Sequence, residues 1–440
     1  MNEIKKQAVW VFGGTCVIGA LQVIQLGFLA RTLSVTELGI LAIINAILAV
    51  AMVLQDMGMS SYVVHRQQLT RKEQSTIYWV NTSLGLITSL LLIVLAWPIS
   101  IFYAQPRLLD LIILASLNFS VLGCLSQYQA HFIKVKKVIL LSKIEVFSKL
   151  ISVIFTVALL YFSSLTISSV ILGLLVNALI RISCMIFFAE PTWHPTFSFC
   201  KSTCKSAIKY GSFQLGSQII NQLRTQADSL VVGKVLGADM LGIYSLAKEL
   251  VLQPLKFITP VINRLALPRF AEKQNSNAEV KSLFLKATFT IVGFSAVMYL
   301  SIGILSPTIV SILYGHEHIS VASLLPLMLI FGLLRPMGGV TGALSQANGR
   351  TNIEFYWNIV ASIVVLAVLG TTMLWSNVYY VAASLSIAQI LISIFVFPFF
   401  IKPVVGVGFF AYIKQWIWVV VAFILIILVI DHYNLYIRLF

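Results

Sequence analysis

The 440-residue chain is 59% hydrophobic and only 10% charged, with a mean hydropathy of +0.95. An ordinary soluble domain carries about a quarter charged residues, so these values exclude a water-facing globule and leave lipid as the solvent. The net charge of +15 is then a matter of loop charge rather than nucleic-acid binding, because no basic stretch is long or rich in aromatics.

Apolar runs of the roughly 20 residues needed to cross hydrocarbon recur from end to end. They are continuous rather than alternating, which predicts helices and not a barrel. The first six predicted spans cover 8–30, 38–61, 76–103, 108–130, 141–161 and 166–189. The first run is longer than a signal-peptide core and no small-x-small cleavage site follows it, so it reads as a retained span. A polar loop is expected over 190–207. Six more spans are predicted over 208–232, 241–266, 283–313, 321–345, 353–375 and 378–401, and a thirteenth over 412–430. The expected fold class is an all-α polytopic membrane protein of about 12–14 transmembrane helices.

Loop charge orients this set. With a cytoplasmic N-terminus, the inside loops hold Arg66, Arg71, Lys72, Lys134, Lys136, Lys137, Lys143, Lys201, Lys205, Arg269, Lys273, Lys281, Arg350, Lys402 and Lys414. The outside loops hold little beyond Arg31, Arg107 and Lys234. The five cysteines read as packing residues and free cytosolic thiols, and no metal site is expected.

The chain also repeats. An offset of 203 residues lays Lys6–Ile40 on Lys209–Ile243 without a gap, bringing Gly13 onto Gly216 and the segment 31–40 onto 234–243. The shared pattern is basic-x-Leu-small-x-x-x-Leu-Gly-Ile. The offset carries the first span onto the seventh, so six spans separate the copies and both share one orientation. The chain therefore divides into a six-helix lobe over 1–200, a second over 201–403, and an additional segment over 404–440.

Ionisable and polar residues inside spans are costly and mark function. In the seventh span Gln218, Asn221, Arg224, Thr225 and Asp228 recur every three or four residues and form one stripe. Arg224 and Asp228 stand at i, i+4 and are expected to pair. By the offset, Gln22 matches Thr225 and Gln25 matches Asp228; both glutamines also suit helix–helix contact. The eighth span carries Lys248, Glu249, Gln253 and Lys256, with Pro254 as a kink candidate, and the tenth carries Arg335 beside Pro336. Arg181 is expected to snorkel from the cytosolic end of the sixth span, and Glu145 to pair with Lys149 at the interface. There is no Walker-type loop, dinucleotide fingerprint or long soluble domain, so no cofactor and no enzymatic chemistry are expected.

Phe28-Leu-Ala-Arg-Thr-Leu-Ser-Val-Thr-Glu-Leu-Gly-Ile40, the stretch Gln226–Ser245 and the segment from Pro260 to Pro268 resemble the polysaccharide-transporter branch of the multidrug/oligosaccharidyl-lipid/polysaccharide flippase superfamily, whose O-antigen members are called Wzx. The resemblance implies two lobes around a V-shaped central cavity. It also implies movement of undecaprenyl-diphosphate-linked sugar units across a bacterial inner membrane by alternating access. Lipid-linked oligosaccharide and membrane lipids would be the partners, with room for other polysaccharide-assembly proteins. Thirteen spans depart from the family's twelve or fourteen. Arg224, Lys248 and Arg335 are candidates for the anionic head by position and charge alone. A cation-coupled drug exporter of the same superfamily and a membrane-embedded polymerase or glycosyltransferase remain as alternatives.

Overall fold

The computed structural model describes residues 3–65, 69–190, 193–273, 276–347 and 351–432. Arg66 and Arg350, expected in inside loops, lie outside the described residues. The chain forms two compact units, Met1–Asp239 and Met240–Phe440. The first contains α1 (Glu3–Thr32), α2 (Val35–Asp56), α3 (Met59–His65), α4 (Arg71–Phe102), α5 (Arg107–Lys134), α6 (Val138–Phe162), α7 (Ile167–Phe188) and α8 (Lys201–Val235). The second contains α9 (Gly237–Lys273), which starts just before the division, α10 (Asn277–Ile304), α11 (Ser306–Tyr314), α12 (Ser320–Leu334), α13 (Pro336–Ala347), α14 (Thr351–Met373), α15 (Val378–Val396), α16 (Lys402–Val405), α17 (Phe409–Ile413) and α18 (Ile417–His432). Eight helices among the described residues are long and apolar enough to cross a membrane.

The helices start and pack for local reasons. Ser34 with Glu37, and Thr70 with Glu73, form reciprocal capping boxes that satisfy the first amides of α2 and α4. Helix α4 is built inside out by the standard of a soluble helix. Its buried positions include Thr82, Gly85, Thr88 and Ser89, while Ile87, Leu90, Val94 and Trp97 stand outward at 61–65% exposure. Water would penalise that outer face, and lipid does not. The small inner face lets α4 and α5 close together. Gly85 meets the Phe119 backbone, Gly123 meets the Asn81 backbone, and Asn81 Nδ2 donates to the Gly123 carbonyl (3.0 Å) and to Ser126.

Several sequence expectations are revised. Helix α8 begins at Lys201, so the connection after α7 is shorter than the expected loop over 190–207. That connection is strapped to the first unit. Trp193 stacks on His131 at 3.9 Å, Phe197 stacks on Trp79, Trp79 Nε1 donates to the Thr196 carbonyl (3.0 Å), and the Cys200 amide donates to Thr76 Oγ1 (2.9 Å). The span expected over 283–313 is interrupted at Leu305, where Pro307 cannot supply an amide to a continuing helix. The tenth span is divided at Arg335 by Pro336, whereas α9 passes through Pro254 unbroken.

Helix α8, at the head of the lobe expected over 201–403, packs on α2, α3 and α4 and so falls in the first compact unit. The loops of the repeat also meet there. Thr36 Oγ1 donates to Asp239 Oδ1, and the two positions are 203 residues apart, the repeat offset itself. Gly39 rests directly on the Ala238 carbonyl, where any Cβ would overlap the oxygen.

Candidate functional site

The stripe on α8 survives folding. Gln218, Asn221, Arg224 and Thr225 are half-buried and Asp228 is buried, only 2% exposed. Arg224 Nη2 donates to Asn221 Oδ1 (2.7 Å), one helical turn back, and Thr225 donates to the Gln222 carbonyl (2.9 Å). Arg224, Thr225 and Asp228 all have further interactions, so the stripe is a polar seam whose members are engaged within the protein. On α1, Gln22 is half-buried, and Gln25 is buried and accepts from Lys149 Nζ (2.7 Å). Gln25 thus binds α1 to α6.

Within the second unit, Glu249 accepts from Gln253 Nε2 (2.8 Å) and Lys256 Nζ (2.7 Å), so these three residues share one face of α9; neighbouring Lys248 is buried. Arg335 sits at the break between α12 and α13, its guanidinium 4.9 Å from the centre of the Phe331 ring. Tyr299 on α10 links these helices. Its hydroxyl donates to the Val251 carbonyl on α9 (2.8 Å), and its ring fills the space beside Gly332 on α12. The helix bearing Lys248 and the helix bearing Arg335 are therefore tied through one aromatic side chain.

Two expectations are corrected. Arg181 does not snorkel outward: its Nη2 donates to Glu145 (3.1 Å) on α6 and to Gln129 (3.0 Å) on α5. Glu145 is thereby taken by Arg181, and Lys149 turns instead to Gln25. Spacing along a single helix shows which residues share a face, but not which neighbouring helix supplies the partner. Arg181 also lines a cavity of about 660 Å³ inside the first unit, with Gln55, Asp56, Ser60, Ser126 and Gln129 as its other polar walls. Sequence reasoning passed over these walls. The available signal was the run of polar residues 126–129 inside an otherwise apolar α5.

Long apolar helices with outward-facing aliphatic surfaces and ionisable residues held at mid-helix define a multi-pass membrane protein. The sequence family described as "Polysaccharide biosynthesis protein" matches residues 28–323. The chain belongs to that family, in agreement with the resemblance carried by its two loop motifs. It is similar to the amylovoran biosynthesis protein AmsL of Erwinia amylovora, with 64% identity over 86% of this chain and 98% of that protein. It is also similar to the lipopolysaccharide biosynthesis protein WzxC of Escherichia coli (strain K12), with 28% identity over 92% of this chain and 82% of that one. Among solved structures, the lipid II flippase MurJ in an inward closed conformation matches with a TM-score of 0.75 and 14% identity, covering 98% of this chain and 99% of that one. This last match concerns the fold.

Proposed function

We propose that the chain is a flippase of the bacterial inner membrane that carries undecaprenyl-diphosphate-linked oligosaccharide units from the cytoplasmic to the outer leaflet, by alternating access, for surface polysaccharide assembly. Its partners are that lipid as substrate, the surrounding membrane lipids and other polysaccharide-assembly proteins, and it moves the substrate without covalent chemistry. The N-terminus is cytoplasmic in this reading.

The observation that carries the reading is the polar seam on α8 centred on Arg224. A guanidinium presents its N–H donors in a planar fork, the geometry that grips a phosphate by two parallel bonds. Lys248 and Arg335 are kept as further head-group candidates within the second unit. The cationic character of these three positions favours an anionic lipid over the cationic drugs of an exporter.

Deletion of the gene followed by complementation tests this. Arg224→Ala should abolish most polysaccharide output, with lipid-linked oligosaccharide accumulating at normal protein level. Arg224→Lys should lose part of it, since charge remains and the fork does not, and Asp228→Asn should matter less. Normal export by Arg224→Ala at normal protein level would remove Arg224 from the head-group role. Undiminished export by the deletion strain would remove the flippase reading itself.

A further inference from the structure

We propose that the cavity of the first unit is a glycan subsite, which holds the hydroxyl-rich sugar of the substrate and not its diphosphate. This rests on the flippase reading above. The cavity, about 660 Å³, has the size of a small-ligand site and is walled by α2, α3, α5 and α7. It lies at the end of the unit where α2 and α5 finish and α4 begins, which the loop charges make the cytoplasmic end. A substrate offered from the cytoplasmic leaflet would meet it first.

The chemistry of the walls selects the ligand. Gln55 is 4% exposed, and its Nε2 has no hydrogen-bond partner; Arg181 Nε is likewise buried without one. Buried polar atoms are otherwise almost always satisfied, so these two donors on cavity-lining residues lack an acceptor that the protein itself supplies. Asp56, which accepts from Ser60 Oγ (2.5 Å), supplies acceptor capacity on the same wall. A ligand that serves both must accept and donate at neighbouring positions. A phosphate only accepts, and it would be repelled by Asp56 and by Glu145, which already engages the charge of Arg181. A metal cation offers no acceptor to Gln55 and would sit beside a guanidinium. A hydroxyl both donates and accepts. Leu122 and Ile133 add apolar wall against which the C–H face of a sugar ring can lie.

The test uses the full-length protein in detergent and two probes: the lipid-linked oligosaccharide extracted from the producing strain, and undecaprenyl diphosphate without sugar. Gln55→Ala removes an amide nitrogen with no bonded partner and so breaks no hydrogen bond of the fold there, and Asp56→Asn removes the charge at constant shape. Each should weaken the lipid-linked oligosaccharide by about tenfold while leaving undecaprenyl diphosphate unchanged. Arg224→Ala should weaken both. The subsite proposal falls if the two cavity variants bind both probes as the wild type does, or lose both equally. It falls too if they keep sugar affinity but lose a response to sodium or pH, which would make the cavity an ion site. A wild-type protein that binds neither probe contradicts the flippase reading, a result distinct from any of these.

Discussion

At Gly39 the permitted side chain is set by a neighbouring backbone. A Cβ there would overlap the Ala238 carbonyl oxygen, which no rotamer change can move aside. Gly39→Ala should therefore destabilise the folded protein by roughly 1–3 kcal/mol, as overpacking of a tight contact does. The repeat-related pair Gly13 and Gly216 is the opposite case, with nothing within 4 Å of a Cβ built at either. Both lie inside helices, where alanine is favoured over glycine by about 1 kcal/mol. Thermal unfolding in detergent should show a lowered midpoint for Gly39→Ala and an unchanged or raised one for Gly13→Ala and Gly216→Ala. A Gly39→Ala midpoint equal to wild type would refute the close approach. The Leu-Gly-Ile motif was legible in the sequence as a repeat, but its steric reason lay in a partner some two hundred positions away.

Among the elements, the apolar helices were legible because lipid imposes a length and a composition on each. The breaks at Pro307 and the short connection into α8 were less so, since helix continuity depends on local amides and on what receives them. The start of α8 illustrates this. The Cys200 amide is held by Thr76, and the Cys200 thiol approaches the Ser202 hydroxyl (3.2 Å). Hydrogen bonds from Ser202 and then Thr203 push the thiol down to about 7 from its ordinary 9.0. Since the thiolate is the favoured form, it should predominate above pH 7 and be lost as the pH falls below it. With the other four cysteines replaced, alkylation of Cys200 by iodoacetamide should reach half its limiting rate near pH 7, and Ser202→Ala should move that point upward. A midpoint between 8 and 9 in the parent would show that α8 does not begin in this way.

For the whole molecule, the strap reduces orientation to one question. Ser75 and Thr76, in the first turns of α4, bond Thr196 and the Cys200 amide, so the loop before α4 and the segment before α8 stand at the same end of the first unit. Residues 70–73 and 201–205 must then label from the same side, and loop charge predicts that this side is the cytoplasm. Single cysteines in each, on a cysteine-free background, should stay unlabelled by an impermeant maleimide in intact spheroplasts and react once the membrane is opened. Labelling of both from outside would invert the protein, and labelling of one alone would contradict the strap. The candidate site was legible only in part for a related reason. The α8 stripe lies on one helix and can be read from spacing, whereas the cavity around Arg181 is assembled from four helices.

The bond between Thr36 and Asp239 joins two positions that the repeat offset makes equivalent. In two fused copies of one ancestral sequence, a contact between equivalent positions descends from a residue that touched its own twin across a two-fold axis. Such a residue has to tolerate itself: threonine opposite threonine can share a hydrogen bond, while aspartate opposite aspartate sets like charges together. A Thr–Asp couple at equivalent positions is therefore closed to an unfused pair of identical chains and requires two copies that differ. Reverting toward self-tolerance, Asp239→Thr, should leave stability nearly unchanged, whereas Thr36→Asp should lower it by about 1 kcal/mol, the scale of two unit charges a few ångströms apart in water. Equal tolerance of both substitutions in thermal unfolding would show that Thr36 and Asp239 do not meet in this way.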